Sequence, residues 1–350
     1  MEFALVCAKD NDLYAVLRSH GVACRRYRTL NAALTRAPEG SPVLALGDTY
    51  PVPGATVTAA QLQRAADRGL RLLVEYPAGV AGLELGQPCP TQWERAVVAS
   101  GFFAPDVAQE TILALHGCWY LPVGAPVTPH LVAARVAGYR RAAYGLPADA
   151  RPLLFELPGQ PVLVATTKLS QVLRGRYGPT ADWQRIWQRL LRHLAPQAQV
   201  PDLRWQPSVG VSLGAAAPLP AGAEAAAFAR AARWFGAHTV YSIDWKKGVI
   251  EGFESGIDHE GRQLRRTWAR GDCIGEASMV FAWDWVLTGN PASRQRAGQL
   301  LDYVLSAPDF HHDDPADPAW GLNNWYERGP VFYGDDNARV LLPALTVARL

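Results

Sequence analysis

Along the first 196 residues, short apolar runs alternate with stretches whose apolar side chains recur every three or four positions. "FALVCA" leads into a helical pattern over Asn11–His20, and "VACRRY" follows the turn residue Gly21. "SPVLALGDT" comes next, then a helical stretch at Thr58–Arg68, then "GLRLLVEYP". Strands that are apolar on both faces and separated by helices predict a parallel sheet covered on both sides. "RPLLFELPGQPVLVATTKL" predicts two further strands joined at a Pro-Gly turn. In Thr180–Leu194, the residues Trp183, Ile186, Trp187, Leu190, Leu191 and Leu194 share one helical stripe. The pattern thus predicts an α/β domain over 1–196.

Residues 197–222 are rich in Pro, Ala and Gly and read as a linker carrying one strand near Leu203–Leu213. Beyond it the period changes. Glu224–His238 is helical and Ala-rich, Gly275–Leu287 is apolar nearly all round, and Ala292–Ser306 is amphipathic with Leu300, Leu301, Val304 and Leu305 on its inner side. Asp336–Leu350 is again apolar on almost every face. A helix apolar all round must be enclosed by others, whereas an amphipathic one covers them from outside. The region 223–350 therefore predicts an all-α domain of inner and outer helices, with no strands.

Composition narrows the function classes. A net charge of +2 supplies no field for a polyanion, so nucleic acid is not an expected partner. No apolar run reaches the roughly 20 residues that cross a bilayer, so no membrane partner is expected either. "MEFALVCAKDND" lacks a basic leader and a long apolar core, so the chain as written reads as cytoplasmic. A periplasmic or secreted site would require residues ahead of Met1. The five cysteines show no metal or disulfide spacing, and "DFHHDDPADP" reads as a solvated loop. No metal or cofactor is expected. Twelve tryptophans are many for 350 residues and suit cores or ring-stacking surfaces.

The segment "KKGVIEGFESGIDHEGRQLRRTWARGDCIGEASMVFAW", with the aromatic-Gly-Asp-Asp-Asn run that opens the last helix, resembles the six-hairpin glycosidase superfamily. The resemblance implies an (α/α)6 toroid that hydrolyses glycosidic bonds, with a carbohydrate as substrate. Four helices are far fewer than a toroid needs, so the chain reads as truncated. The first domain resembles the class I glutamine-amidotransferase-like flavodoxin-type domain, most clearly over "VLVATTKLSQVLRGRYGPTADWQRIWQRLLRHL". Amidotransferases carry a nucleophilic cysteine in a tight elbow after a central strand. The equivalent stretch here, "LLVEYPAG", has none, so a non-catalytic module is expected, with homo-oligomerisation as one role. The neighbouring His116 and Cys118 do not by themselves make a dyad.

Glycoside hydrolysis needs two carboxyls about the scissile bond. Asp335, Asp336 and Glu254 are the candidates for acid/base work, since adjacent carboxylates near a dry site raise one another's pKa. Asp335 or Asp336 could equally cap the last helix, and Asp272 could cap the helix after "ARG" while pairing with Arg270. Glu276, Asp272 and Asp258 are candidate substrate contacts. Trp325, Tyr326 and Tyr333 offer flat apolar faces that suit sugars, or they pack the loop. Two other readings stand beside the hydrolase: a non-catalytic carbohydrate-binding scaffold, and a small ligand held by the flavodoxin-like domain at the carboxyl ends of its strands.

Overall fold

The computed structural model describes residues 2–115, 117–173, 177–208, 217–237, 244–258 and 262–350, with the backbone alone for Tyr177 and 255–257. The chain divides into two compact units, one of Met1–Val211 with Gly256–Arg262 and one of Ser212–Ser255 with Gln263–Leu350.

The first unit opens with β1 (Phe3–Val6), α1 (Asp12–Ser19), β2 (Cys24–Tyr27), α2 (Leu30–Arg36) and β3 (Pro42–Ala45). Then come β4 (Thr56–Val57), α3 (Ala59–Asp67), β5 (Arg71–Glu75), β6 (Gly79–Val80) and β7 (Cys89–Pro90). The chain continues through β8 (Arg95–Val98), β9 (Ile112–Leu115), β10 (Trp119–Tyr120), β11 (Pro129–Ala134) and β12 (Arg151–Glu156). It closes with β13 (Val162–Ala165), β14 (Tyr177–Gly178) and α4 (Thr180–Leu194). Ten strands form one mixed sheet in the order β14-β9-β8-β11-β12-β13-β5-β3-β1-β2. The half from β13 to β2 is parallel, and the remaining pairs are antiparallel.

Alternation in the parallel strands builds two cores. Leu5, Leu44, Leu73 and Leu163 face α1 and the Trp183–Leu194 stripe of α4. Ala4, Val43, Leu72 and Val74 face α2 and α3. Polar groups start the helices as the local chemistry requires. Asn11 accepts from the Tyr14 N–H, and Thr58 and Gln61 form a reciprocal capping box. The mixed α/β fold expected from the sequence is present. The hairpin of β12 and β13 was anticipated, but the other antiparallel strands were not, because they lie between loops rather than between helices.

The 197–222 stretch is only in part a connection. Val200, Leu203 and Trp205 are buried in the first core, and Gln188 of α4 donates to Val200 O and accepts from Leu203 N. No strand begins at Leu203 among the described residues, and 209–213 of that expectation lie outside them.

The second unit contains α5 (Ala223–Ala237), β15 (Ile250–Ile257), β16 (Gln263–Ala269), α6 (Gly271–Thr288), α7 (Pro291–Ser306) and α8 (Gly334–Arg349). β15 and β16 pair as a two-stranded sheet, so the expectation of a strand-free region is corrected. Charged Glu251, Glu254, Arg265 and Arg266 interrupt their apolar residues, and the exposed positions include apolar Phe253 and Leu264, which hides the strand period. Ile274, Phe281, Leu300, Val304, Phe310 and Val340 form the core of the unit. Gly275 permits the close approach of α8 to α6, since a Cβ there would stand 2.6 Å from Arg339 O. Enclosure of the all-round-apolar helices is also corrected among the described residues. α8 buries Asp336, Val340 and Pro343, while Leu341, Leu342 and Leu345 remain 61–63% exposed.

Candidate functional site

The predicted acidic residues of the second unit do not all meet. Two do, at the amino ends of α6 and α8. Neither Asp336 nor Asp272 caps its helix: Tyr333 and Arg270 hold the N-cap positions without side-chain caps, and the aspartates lie in the first turns. There they face the positive ends of two helix dipoles. Arg270 binds them both. Its Nε and Nη2 donate to Asp272 at 3.0 and 2.8 Å, and Nη2 also donates to Asp336 Oδ1 at 3.2 Å. Its Nη1 donates to Glu251 Oε1 at 3.0 Å, and its guanidinium lies 5.0 Å from the Trp325 ring. Burial, and then a hydrogen bond from carboxyl to carboxyl with Asp272, push the Asp336 pKa above the ordinary aspartate range.

The loop that supplies the aromatics is tied to the same place. Gly271 N donates to Trp325 O at 3.0 Å, and Arg270 bridges to Tyr326 in the backbone. Trp325 packs edge-on against Tyr326 and Tyr333, with centroids 4.9 and 5.5 Å apart. Glu251 accepts from Trp268 Nε1 at 3.0 Å and from Arg266.

The other candidates lie elsewhere. Asp335 is exposed, whereas Asp336 beside it is buried. Glu254 is held by Arg266 at 3.3 Å, and Asp258 by Arg262 at 3.0 Å. Glu276 is half-exposed with Arg339 3.8 Å away. The proposed trio of Asp335, Asp336 and Glu254 is therefore not assembled as an acid/base set. Asp336 is joined to Asp272 instead, and one nitrogen of Arg270 donates to both. In "DFHHDDPADP", His312 Nδ1 and Nε2 are spent on Asp317 and Asn324 at 3.0 and 3.1 Å.

The first unit holds a different arrangement. β5 ends in Glu75, and the next residue, Tyr76, takes φ +48°, the left-handed backbone region that a bulky side chain rarely adopts. It lies in the "LLVEYPAG" stretch, where the sequence resemblance leads one to look for a nucleophilic thiol. Here a phenol stands instead, fully buried, with an edge-on contact to Tyr50 at 4.8 Å. Burial raises the Tyr76 pKa, which keeps the hydroxyl protonated and poor as a nucleophile. The thiol of Cys7 is pushed up to about 12 by burial and by Asp48, so it is not a substitute. His116 lies outside the described residues, and Cys118 is buried in the core.

Glu75 carries the wall beside the elbow. Its carboxylate accepts from Gly47 N at 2.8 Å, Leu169 N at 2.5 Å, Ser170 N at 2.7 Å and Ser170 Oγ at 2.8 Å. Complete burial pushes its pKa up, opposed by Lys168 and those donors. Lys168 Nζ donates to Gly47 O at 3.1 Å and lies 3.6 Å from Asp48. Asp48 in turn accepts from Asn11 Nδ2 at 2.7 Å and from Ala8 N. The ends of β1, β3, β5 and β13 are thus cross-linked by one polar network. No residue of it was singled out in the sequence, because its members come from four separate loops.

Above this network a cleft of about 930 Å³ opens between the segments that follow β1, β2 and β3. The chain leaves β1 to one side for β2 and returns to the other side for β3, so the two connections diverge at β1. Such a reversal leaves a crevice outside the carboxyl ends of the strands. Arg26 and Arg28 stand on the β2 side, Asp48 and Thr49 on the β3 side, and Cys7 at the back. Arg26 Nε and Nη2 donate to Cys7 O at 3.2 and 3.1 Å, which fixes that wall.

The chain matches no protein-family model and no curated protein. One solved structure it resembles is that of PurLQS from Thermotoga maritima. The identity is 13% and the TM-score 0.36, over 55% of this chain and 98% of that one. The solved structure named above is not that of a glycosidase, and the described residues of the second unit form four α-helices and a two-stranded sheet. The resemblance to the six-hairpin glycosidases is accordingly corrected, and with it the toroid, the hydrolase keywords and glycosidic-bond hydrolysis. No described helix is long and apolar enough to cross a membrane.

Proposed function

We propose that the α/β unit is a small-molecule-binding module whose ligand carries an anionic group, a carboxylate or a phosphate. The observation that carries this reading is the cleft at the β1 reversal point, with two guanidiniums on one wall and a carboxylate on the other. Guanidinium forks match planar anions in geometry and charge. Asp48, oriented by Asn11 and Ala8, is placed to accept from a hydroxyl or amine on the same ligand. Tyr76 at the elbow supports binding without covalent turnover.

The test is a thermal-shift and calorimetric titration with inorganic phosphate, glutamate and adenosine monophosphate as probes. At least one should raise the midpoint of unfolding, and Arg28→Ala should abolish that rise. No shift with any probe, or an undiminished shift in the variant, would count against the cleft as a binding site.

A further inference from the structure

We propose that the outer face of α8 is an interface with a second copy of this chain, the two helices packing antiparallel about a two-fold axis beside Leu342. The core side of α8 is Asp336, Val340 and Pro343, with Val347 partly buried below them. On the opposite side run Asp335, Ala338, Leu341, Leu342, Leu345 and Arg349, all exposed. Three leucines each more than 60% exposed on one helix face form an apolar stripe that water solvates poorly. Asp335, Ala338, Leu342, Leu345 and Arg349 follow the alternating three- and four-residue spacing of a coiled-coil seam.

The ends of the stripe identify the partner. Asp335 precedes Leu342 by seven residues, and Arg349 follows it by seven. With Leu342 beside a two-fold axis, Asp335 of each copy therefore faces Arg349 of the other, about 10 Å from the axis at 1.5 Å rise per residue. The stripe is complementary in charge to its own reverse, as an isologous contact requires. The helix dipoles also oppose one another in that arrangement, negative end beside positive end. A parallel pairing would set Asp335 against Asp335 and Arg349 against Arg349.

Sedimentation of the full 350-residue chain over roughly a hundred-fold range of concentration tests the interface, since a dimer must follow mass action. The mass should move from one chain to two. The Leu342→Glu, Leu345→Glu variant should stay single, with an unchanged far-ultraviolet dichroism spectrum that shows it folded. Asp335→Arg should weaken the dimer by roughly tenfold through two lost rim pairs, and adding Arg349→Asp should restore it. A wild-type chain that stays single throughout would overturn the proposal and leave the face to a different partner. A dimer indifferent to the leucine changes, or a charge swap that fails to recover association, would overturn it equally.

Discussion

Asp272 and Asp336 accept from one nitrogen of Arg270, at 2.8 and 3.2 Å, and so tie the first turn of α6 to the first turn of α8. A third carboxylate, Glu251 of β15, uses the remaining Nη1. Removing the guanidinium would leave buried Asp272 with only Arg339, 3.6 Å away, and Glu251 with Arg266 alone. Arg270→Met should therefore destabilise the second unit by about 3–5 kcal/mol, the cost of breaking rather than replacing a buried pair. Denaturant unfolding monitored by tryptophan fluorescence would measure it. A loss below the usual surface-pair value of about 1 kcal/mol would mean that water already screens the cluster.

The carboxyl pair gives stability a pH dependence of definite sign. Asp336 holds its proton more tightly when folded than when unfolded, because burial and Asp272 both favour the neutral form. The stabilising contribution is fully present below the ordinary aspartate range and is lost as pH rises through the raised folded value. Asp336→Asn keeps a hydrogen-bonding group without the titration. Calorimetric melting at a series of pH values should show wild type losing stability across that window relative to the variant. Parallel curves would remove Asp336 from the account.

Tyr76 is wholly buried, and its hydroxyl has no hydrogen-bond partner among the described residues. A buried hydroxyl without a partner costs free energy that a phenyl ring does not. Tyr76→Phe keeps the ring contact with Tyr50 and should stabilise the first unit by about 1 kcal/mol, seen as a raised unfolding midpoint. A fall would show that the hydroxyl is satisfied after all.

Gly275 separates two effects that usually coincide. In an exposed helix interior, Gly→Ala stabilises by about 1 kcal/mol. Here the new methyl would meet Arg339 O at 2.6 Å and Val340 Cα at 3.0 Å, both backbone atoms that cannot swing aside. Gly275→Ala should instead destabilise by about 1–3 kcal/mol as α8 is pushed outward. An unchanged or raised melting temperature would show that α8 is free to move.

Helices with a strong apolar period were legible along the chain. Thr180–Leu194 has the same bounds in the structure, and the other long helices differ by a few residues at their ends. α2 was not legible, because seven residues give barely two turns of pattern. β15 and β16 were missed because charged side chains mask an alternation in a strand that is mostly exposed. The pairing of Arg270 with Asp272 could be seen from spacing alone, two residues apart. Its sharing with Asp336 could not, because that contact depends on how closely α8 approaches Gly275.

Local chemistry settled the strands and the longer helices of the parallel half, the absence of a thiol in "LLVEYPAG", and the identity of the charged residues. Those follow from periodicity and composition, which act over a few neighbouring positions. Which carboxylates meet, which leucines stay outside, and which loops wall the cleft depended on packing between segments far apart in the chain. Glu75, Asp48 and the Lys168–Ser170 segment lie far apart in the sequence; three parallel strands, β5, β3 and β13, ending on the same side bring them within hydrogen-bonding range.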